Sequence, residues 1–262
     1  MLRALYSAAG GMQAQQSNLD VIANNLANVN TTGFKKSKTE FQDILYETTR
    51  AAGADQGGGN QVPTSLQIGH GTNLVATPKV FTNGEFYSTG EEKDMSIQGD
   101  GFFKIQLPNG QGEAYTRDGG FKLSKDGALI TTDGYPLLGG IGAIQPGTSL
   151  TISSSGEVTA KNASGTTSPG RLQLYRFSNP GGLDSLGGNL YKESLASGQA
   201  LSGNPNENGF GSIRQGYLER SNVKVVEEMI NLIVAQRAYE VNSKAVQSAD
   251  EMMAMADNLK RS

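Results

Sequence analysis

The 262-residue chain contains no cysteine and no tryptophan, and His70 is its one histidine. Without cysteine there are no disulfide staples, no thiolate nucleophile and no Cys-based zinc site. The lone imidazole sits in Gly69-His70-Gly71 with no local acid partner, so it reads as a loop residue and not as a catalytic base. No stretch approaches the ~20 apolar residues that span a bilayer. Gln13, Gln15 and Gln16 interrupt the apolar run that the middle of a secretory signal requires. The expectation is a protein that is cytoplasmic or that leaves by a route without such a signal. Net charge is small as well, at -3, which argues against a chain that works by covering phosphates. Lys35, Lys36 and Lys38 make one small basic cluster, read as a solvated surface turn.

Chemistry-bearing patterns are missing too. Gly99-Asp100-Gly101 and Gly57-Gly58-Gly59 precede no Lys-Ser/Thr and no helix, so neither is a phosphate loop. The aspartates fall in turn pairs and not in a calcium-binding loop. No catalytic, cofactor-binding or metal-ligating residue is nominated; the sequence points to no enzyme, cofactor, nucleic acid or small-molecule substrate.

What is present is a shared rhythm at the two ends. Leu2, Leu5, Ala9, Met12, Gln16, Leu19, Ala23 and Leu26 fall at alternating steps of three and four. So do Leu232, Ala235, Tyr239, Asn242, Val246, Ala249, Met253 and Ala256. That spacing keeps one helix face toward a partner helix. The first helix is expected over residues 3–30, ending at Thr31-Thr32-Gly33 with Gly33 suited to a left-handed cap. A second stripe of Leu19, Ile22, Leu26 and Val29 widens its apolar face beyond one seam. Gly10 and Gly11 weaken it but admit close neighbours. The last helix is expected from near Asn222, as N-cap, to about Lys260, with Glu227 and Glu228 early and Lys260 and Arg261 late. Asn242 sits in the seam either as a tolerated polar residue or as a register-setting one.

Between these ends lies most of the glycine, which at 35 residues is about twice the usual share. Residues 34–50 fit either an amphipathic turn or a strand, through Phe41, Ile44 and Leu45, and residues 51–67 read as an extended connection or long loop. From Thr72 onward short apolar runs alternate with Asn83-Gly84, Asp100-Gly101, Asn109-Gly110, Asp118-Gly119, Asp126-Gly127 and Asp133-Gly134, the pattern of a meander of short antiparallel strands. Strands are expected at 95–97, 102–107, 129–132, 150–152, 157–160 and 171–177.

The run Asp20-Val21-Ile22-Ala23-Asn24-Asn25-Leu26-Ala27-Asn28-Val29-Asn30-Thr31-Thr32-Gly33-Phe34-Lys35 resembles the N-terminal signature of bacterial flagellar rod and hook proteins. Gly216-Tyr217-Leu218-Glu219 and Ser221-Asn222-Val223, followed by Gln236-Arg237-Ala238-Tyr239-Glu240-Val241-Asn242-Ser243-Lys244, resemble its C-terminal one. Gly99-Asp100-Gly101-Phe102-Phe103 and Tyr115-Thr116-Arg117-Asp118-Gly119 match between them, so the resemblance runs along the whole chain. Tyr46 to Arg50, then a Gly-rich stretch, then Leu66-Gln67-Ile68-Gly69-His70-Gly71, resemble the insertion of the distal rod branch.

The resemblance implies an α+β fold in which long N- and C-terminal helices, paired as a coiled-coil-like domain, bracket a Gly-rich, mainly antiparallel β domain. The expected divisions are 1–34 with 217–262 as an inner-tube helical domain, 35–75 as a connecting segment carrying the insertion, and 76–216 as an outer β domain. It further implies a helical homopolymer, with proximal rod proteins, the hook protein, the peptidoglycan-layer and outer-membrane ring proteins and the flagellar type III export apparatus as partners. The expected location is the basal body, in the periplasm and across the outer-membrane ring. Assembly would rest on the two helix faces, and stiffness on Tyr46, Arg50, Leu66, Ile68 and Gly69. A hook or proximal rod subunit, a coiled-coil surface fibre or adhesin, and a periplasmic enzyme or carbohydrate-binding module are the competing readings.

Overall fold

The terminal rhythms fold as helices, α1 over Leu2–Ala27 and α2 over Val225–Arg261. These bounds come from a computed structural model that describes residues 2–53, 63–108, 112–145, 147–162 and 165–261. The α1 helix stops short of residue 30, because Asn28 and Thr31 draw the backbone into a turn: Thr31 N donates to Asn28 O at 3.2 Å and Thr31 Oγ1 to Asn28 Oδ1 at 3.2 Å. Nor does α2 begin at Asn222, whose side chain is engaged elsewhere, as described below. Gly57-Gly58-Gly59 and Asn109-Gly110 lie outside the described residues.

The chain divides into two units, the first comprising Met1–Leu26, Ser37–Pro78 and Val225–Ser262 and the second Ala27–Lys36 with Lys79–Lys224. In the first unit the described residues bring the helices together at Asn25 with Glu228 and at Gly11 with Asn242. Asn25 Nδ2 donates to Glu228 Oε2 over a long 3.5 Å, both side chains being buried. A Cβ on Gly11 would lie only 2.9 Å from Asn242 Nδ2, so glycine leaves room for that amide. The two contacts are 14 residues apart on each helix and in opposite senses, so the helices pass one another antiparallel.

Residues 40–50, which fit either an amphipathic turn or a strand, take the strand form and pair with residues 66–76 in a two-stranded ribbon. Strand β1 (Glu40–Asp43) continues into β2 (Tyr46–Arg50), and β3 (Leu66–Gly69) into β4 (Thr72–Ala76); β1 pairs with β4 and β2 with β3, all antiparallel. Thr, Tyr, Phe, Val and Ile residues in these strands suit a pleated backbone even without a core. Of the stretch read as an extended connection or long loop, 51–67, residues 54–62 lie outside the described residues.

In the second unit, some expected strands pair with their neighbours in sequence. Phe103–Gln106 pairs with Glu113–Thr116, Lys122–Leu123 with Leu129–Ile130 through the Asp126-Gly127 turn, and Ser149–Ile152, Glu157–Asn162 and Gly165–Arg171 form a three-stranded sheet. The meander does not extend to the whole unit. Met95–Gln98 pairs with Ser212–Gln215, Phe86–Ser88 with Tyr217–Glu219, Leu174–Arg176 with Leu201–Gly203, and Glu113–Thr116 with Leu190–Lys192. Asp118-Gly119 accordingly does not close a hairpin; Gly119 O accepts from Met95 N at 3.0 Å. These distant pairings close the unit on itself over a core of Met95, Ile97, Phe103, Leu150, Val158, Leu172, Leu174 and Ile213. A second cluster of Phe102, Tyr115, Phe177, Leu183 and Tyr191 is held by edge-to-face rings, such as Tyr115 on Phe177 at 4.8 Å.

Candidate assembly site

Three motifs that are far apart in sequence converge in the second unit. Lys35 and Glu219 are fully buried and ion-paired at 2.7 Å, and Lys35 Nζ also donates to Thr82 O at 2.8 Å. Glu219 Oε1 accepts from Gly84 N at 2.8 Å, while its Oε2 lies 3.8 Å from Arg117 Nη1. Arg117, also buried, donates to Gly99 O at 2.9 Å. Burial pushes the Lys35 ammonium below its ordinary pKa, with Glu219 pulling it back up. Burial likewise lowers the Arg117 guanidinium, opposed by Glu219 and Asp100. The expectation that Lys35 belongs to a solvated turn is therefore corrected. Lys38 stays exposed, but Lys35 is drawn inside because a buried carboxylate and a carbonyl replace the water it gives up.

Backbone and amide contacts reinforce this junction. Gly33 N donates to Glu219 O at 2.8 Å, and Asn189 Nδ2 to Thr32 O at 2.8 Å. Asn222 accepts from Lys36 N at 2.8 Å and donates to Val80 O at 2.7 Å, which removes it from the helix-capping role. Phe34 is buried beneath Lys79 Nζ, 4.6 Å from the ring centroid. Gly33 has φ +69°, and a Cβ there would lie 2.7 Å from Asp118 N. Gly33→Ala is expected to destabilise the unit by about 1–3 kcal/mol from backbone strain alone. A thermal melt should move down by several degrees, and an unchanged midpoint would contradict the assignment.

The first unit carries the helix faces. On α1, Ile22 and Asn25 are buried, Leu5, Met12, Leu19 and Leu26 are half-buried, Asn24 is exposed, and Leu2 lies in the first turn. Val29 and Asn28, both half-buried, lie beyond in the second unit. On α2, Ala235 and Ala249 are buried, Leu232, Asn242, Val246 and Met253 half-buried, and Tyr239 and Ala256 exposed. Gln236 and Arg237 are exposed, Arg237 pairing with Glu240 at 2.8 Å. Tyr46, Arg50, Leu66, Ile68 and Gly69 all lie exposed on the ribbon.

Sequence reasoning passed over a further stripe. Val226, Met229, Ile230, Ile233, Val234 and Val241 are each more than half exposed. At ~100° per residue they lie roughly opposite Ala235 and Ala249 on α2. Its signal in the sequence is a second apolar repeat at 3.6-residue spacing, which overlaps the 3.5-residue seam.

Comparison with known proteins bears on this arrangement. Residues 5–35 match the family described as flagella basal body rod protein. Residues 96–160 match the flagellar hook protein FlgE/F/G D1 domain, and residues 214–259 the flagellar basal body rod FlgEFG protein C-terminal family. The flagellar basal-body rod protein FlgG of Borreliella burgdorferi is 49% identical, with 100% of both chains covered. Those of Caulobacter vibrioides and Bacillus subtilis are 44% and 43% identical, covering 99% and 100% of this chain and 100% of each relative. The chain belongs to the flagellar basal-body rod family. This flagellar rod-family protein is thus a structural component of the bacterial flagellum. The flagellar hook protein FlgE of Helicobacter mustelae is 43% identical over 139 residues, but only 53% of this chain and 31% of that protein are covered. The rod-family junction residues Lys35 and Glu219 fall inside the first and last matched segments, and Arg117 inside the middle one.

Proposed function

We propose that this protein polymerises into the flagellar distal rod, a stiff helical tube that carries torque from motor to hook. The reading is carried by full-length similarity to rod proteins named FlgG, against a match to a hook protein that covers only 31% of its length. It takes up the remaining partners expected of such a subunit: proximal rod proteins, hook protein, the two ring systems and the type III export apparatus, with assembly in the periplasm.

In this reading the terminal helices of each copy pack in coiled-coil fashion and build the inner tube, and the β unit forms the outer layer. Head-to-tail contacts that never close give an open filament. The half-buried seam from Leu232 to Met253 serves contacts within a copy. The apolar stripe from Val226 to Val241 is left for a neighbouring copy, since water-exposed Val, Met and Ile side chains in such a row are a liability unless covered. The ribbon, with Leu45, Tyr46, Leu66 and Ile68 exposed, braces one copy against another.

Electron microscopy of basal bodies from a strain deleted for this gene tests the assignment. Inner rings with a short proximal stub are expected, without outer rod or hook. A complete rod lacking only its hook would point to the hook protein, and intact hook-basal bodies would overturn the flagellar role. Deleting residues 51–67 should leave a rod that assembles but bends more readily; unchanged bending stiffness would exclude bracing by the ribbon.

A further inference from the structure

The ribbon lies along α1 and touches it from Asn25 to Arg3. Asn25 works as a surrogate strand, donating from Nδ2 to Ser37 O and accepting from Ser37 N, each at 2.9 Å. Thr39 Oγ1 then reaches Asn18 Oδ1 at 2.7 Å. On the returning strands, the carbonyl of Thr72 lies 3.5 Å from where a Cβ on Gly10 would stand, and a Cβ on Gly71 would be 3.2 Å from Ser7 Cα. Glu47 closes the series, 2.6 Å from Arg3 Nη2 and 3.9 Å from His70 Nε2. The lengths agree: 22 helical steps from Asn25 to Arg3 make ~33 Å, and ten strand steps from Ser37 to Glu47 make about the same.

The ribbon has no other support within the described residues of its unit. None of residues 40–50 or 66–76 is buried. A two-stranded hairpin without a covered face is at best marginal in water, and an isolated α1 would gain little from propensity alone.

We infer that the ribbon orders only upon a folded α1, so that formation of the helix switches the brace on. The inference rests on the proposed rod function for its purpose, but its structural claim stands apart. A subunit with an unformed α1 presents no ordered ribbon to bind prematurely. Once α1 is fixed among neighbouring helices, the same polar pairs and close approaches set the direction of the ribbon.

Hydrogen exchange with mass spectrometry on the full-length protein, before and after assembly, tests this. Gln16→Pro breaks α1 at an exposed residue that makes no described bond to the ribbon; Gln16→Ala is the control. With proline, peptides covering 40–50 and 66–76 should exchange more than about tenfold faster along with α1, while 95–106 keeps its protection. The alanine variant should behave as the parent. Persistent ribbon protection over an exchanging α1, in the variant or in the dilute parent protein, would overturn the coupling. Joint protection of both elements in a dilute parent monomer, lost in Gln16→Pro, would sustain the coupling while removing the assembly step from its control.

Discussion

Replacing Glu219 with leucine is expected to bring the β unit to the edge of unfolding. Among the described residues the carboxylate is the only acid bonded to the buried Lys35 ammonium, and it also accepts from Gly84 N. Removing one member of a buried ion pair costs about 3–5 kcal/mol, because the other charge is left in a place water cannot reach. The orphaned Gly84 amide adds roughly 1–3 kcal/mol. Against a usual total of about 5–15 kcal/mol, the loss is severe. Thermal melts of the full chain followed by circular dichroism should show it. Lys35→Met combined with Glu219→Leu should recover much of the loss, since no ammonium is then stranded, although Arg117 keeps recovery incomplete. A single Glu219→Leu variant within about 1 kcal/mol of the parent would show that the junction is not held by charge.

Ile233→Lys should produce the opposite pattern: a sound monomer that does not polymerise. Ile233 is more than half exposed, so the lone chain loses little apolar burial. In the proposed tube the same position is covered by a neighbour, where an ammonium must be dehydrated without a partner. A penalty of about 3 kcal/mol per contact raises the concentration needed for growth by ~100-fold or more. Motility should be lost while the melt of the β unit stays unchanged, and rods should be absent from purified basal bodies. Motile cells carrying Ile233→Lys would remove the exposed stripe from the assembly interface. The half-buried Val246 supplies the comparison: a charge there should disturb the pairing of α1 and α2 first, seen as lost helical signal.

The helices were readable in the sequence because their signal is local and repeated. Their ends were not, since Asn28, Thr31 and Asn222 have the composition of caps yet serve turns and distant backbone groups. Short strands were readable as apolar runs between Asp-Gly turns, whereas their partners were not. Nothing in Met95–Gln98 announces Ser212–Gln215, because pairing over such a distance is decided by closure of the whole unit. Lys35 shows the same limit at a single residue. Beside Lys36 and Lys38 it has the look of a surface cluster, and only the approach of Glu219, 184 positions away, makes its burial tolerable. The ribbon is ambiguous in the sequence for a different reason: residues 40–50 fit a turn as well as a strand, because strands with no buried side carry little hydrophobic alternation to decide between them.

The departure and return of residues 37–78 have an evolutionary consequence. Val80 N donates to Lys36 O at 2.9 Å, so within the β unit the segment begins and ends at the same doorway. Whatever is spliced into that gap leaves the scaffold behind it undisturbed. Because doubling the length of a loop costs only about 0.6 kcal/mol, closure of that gap between Lys36 and Val80 tolerates insertions of different length. Mechanical character can therefore be tuned as a cassette, with the core and the terminal helices inherited unchanged.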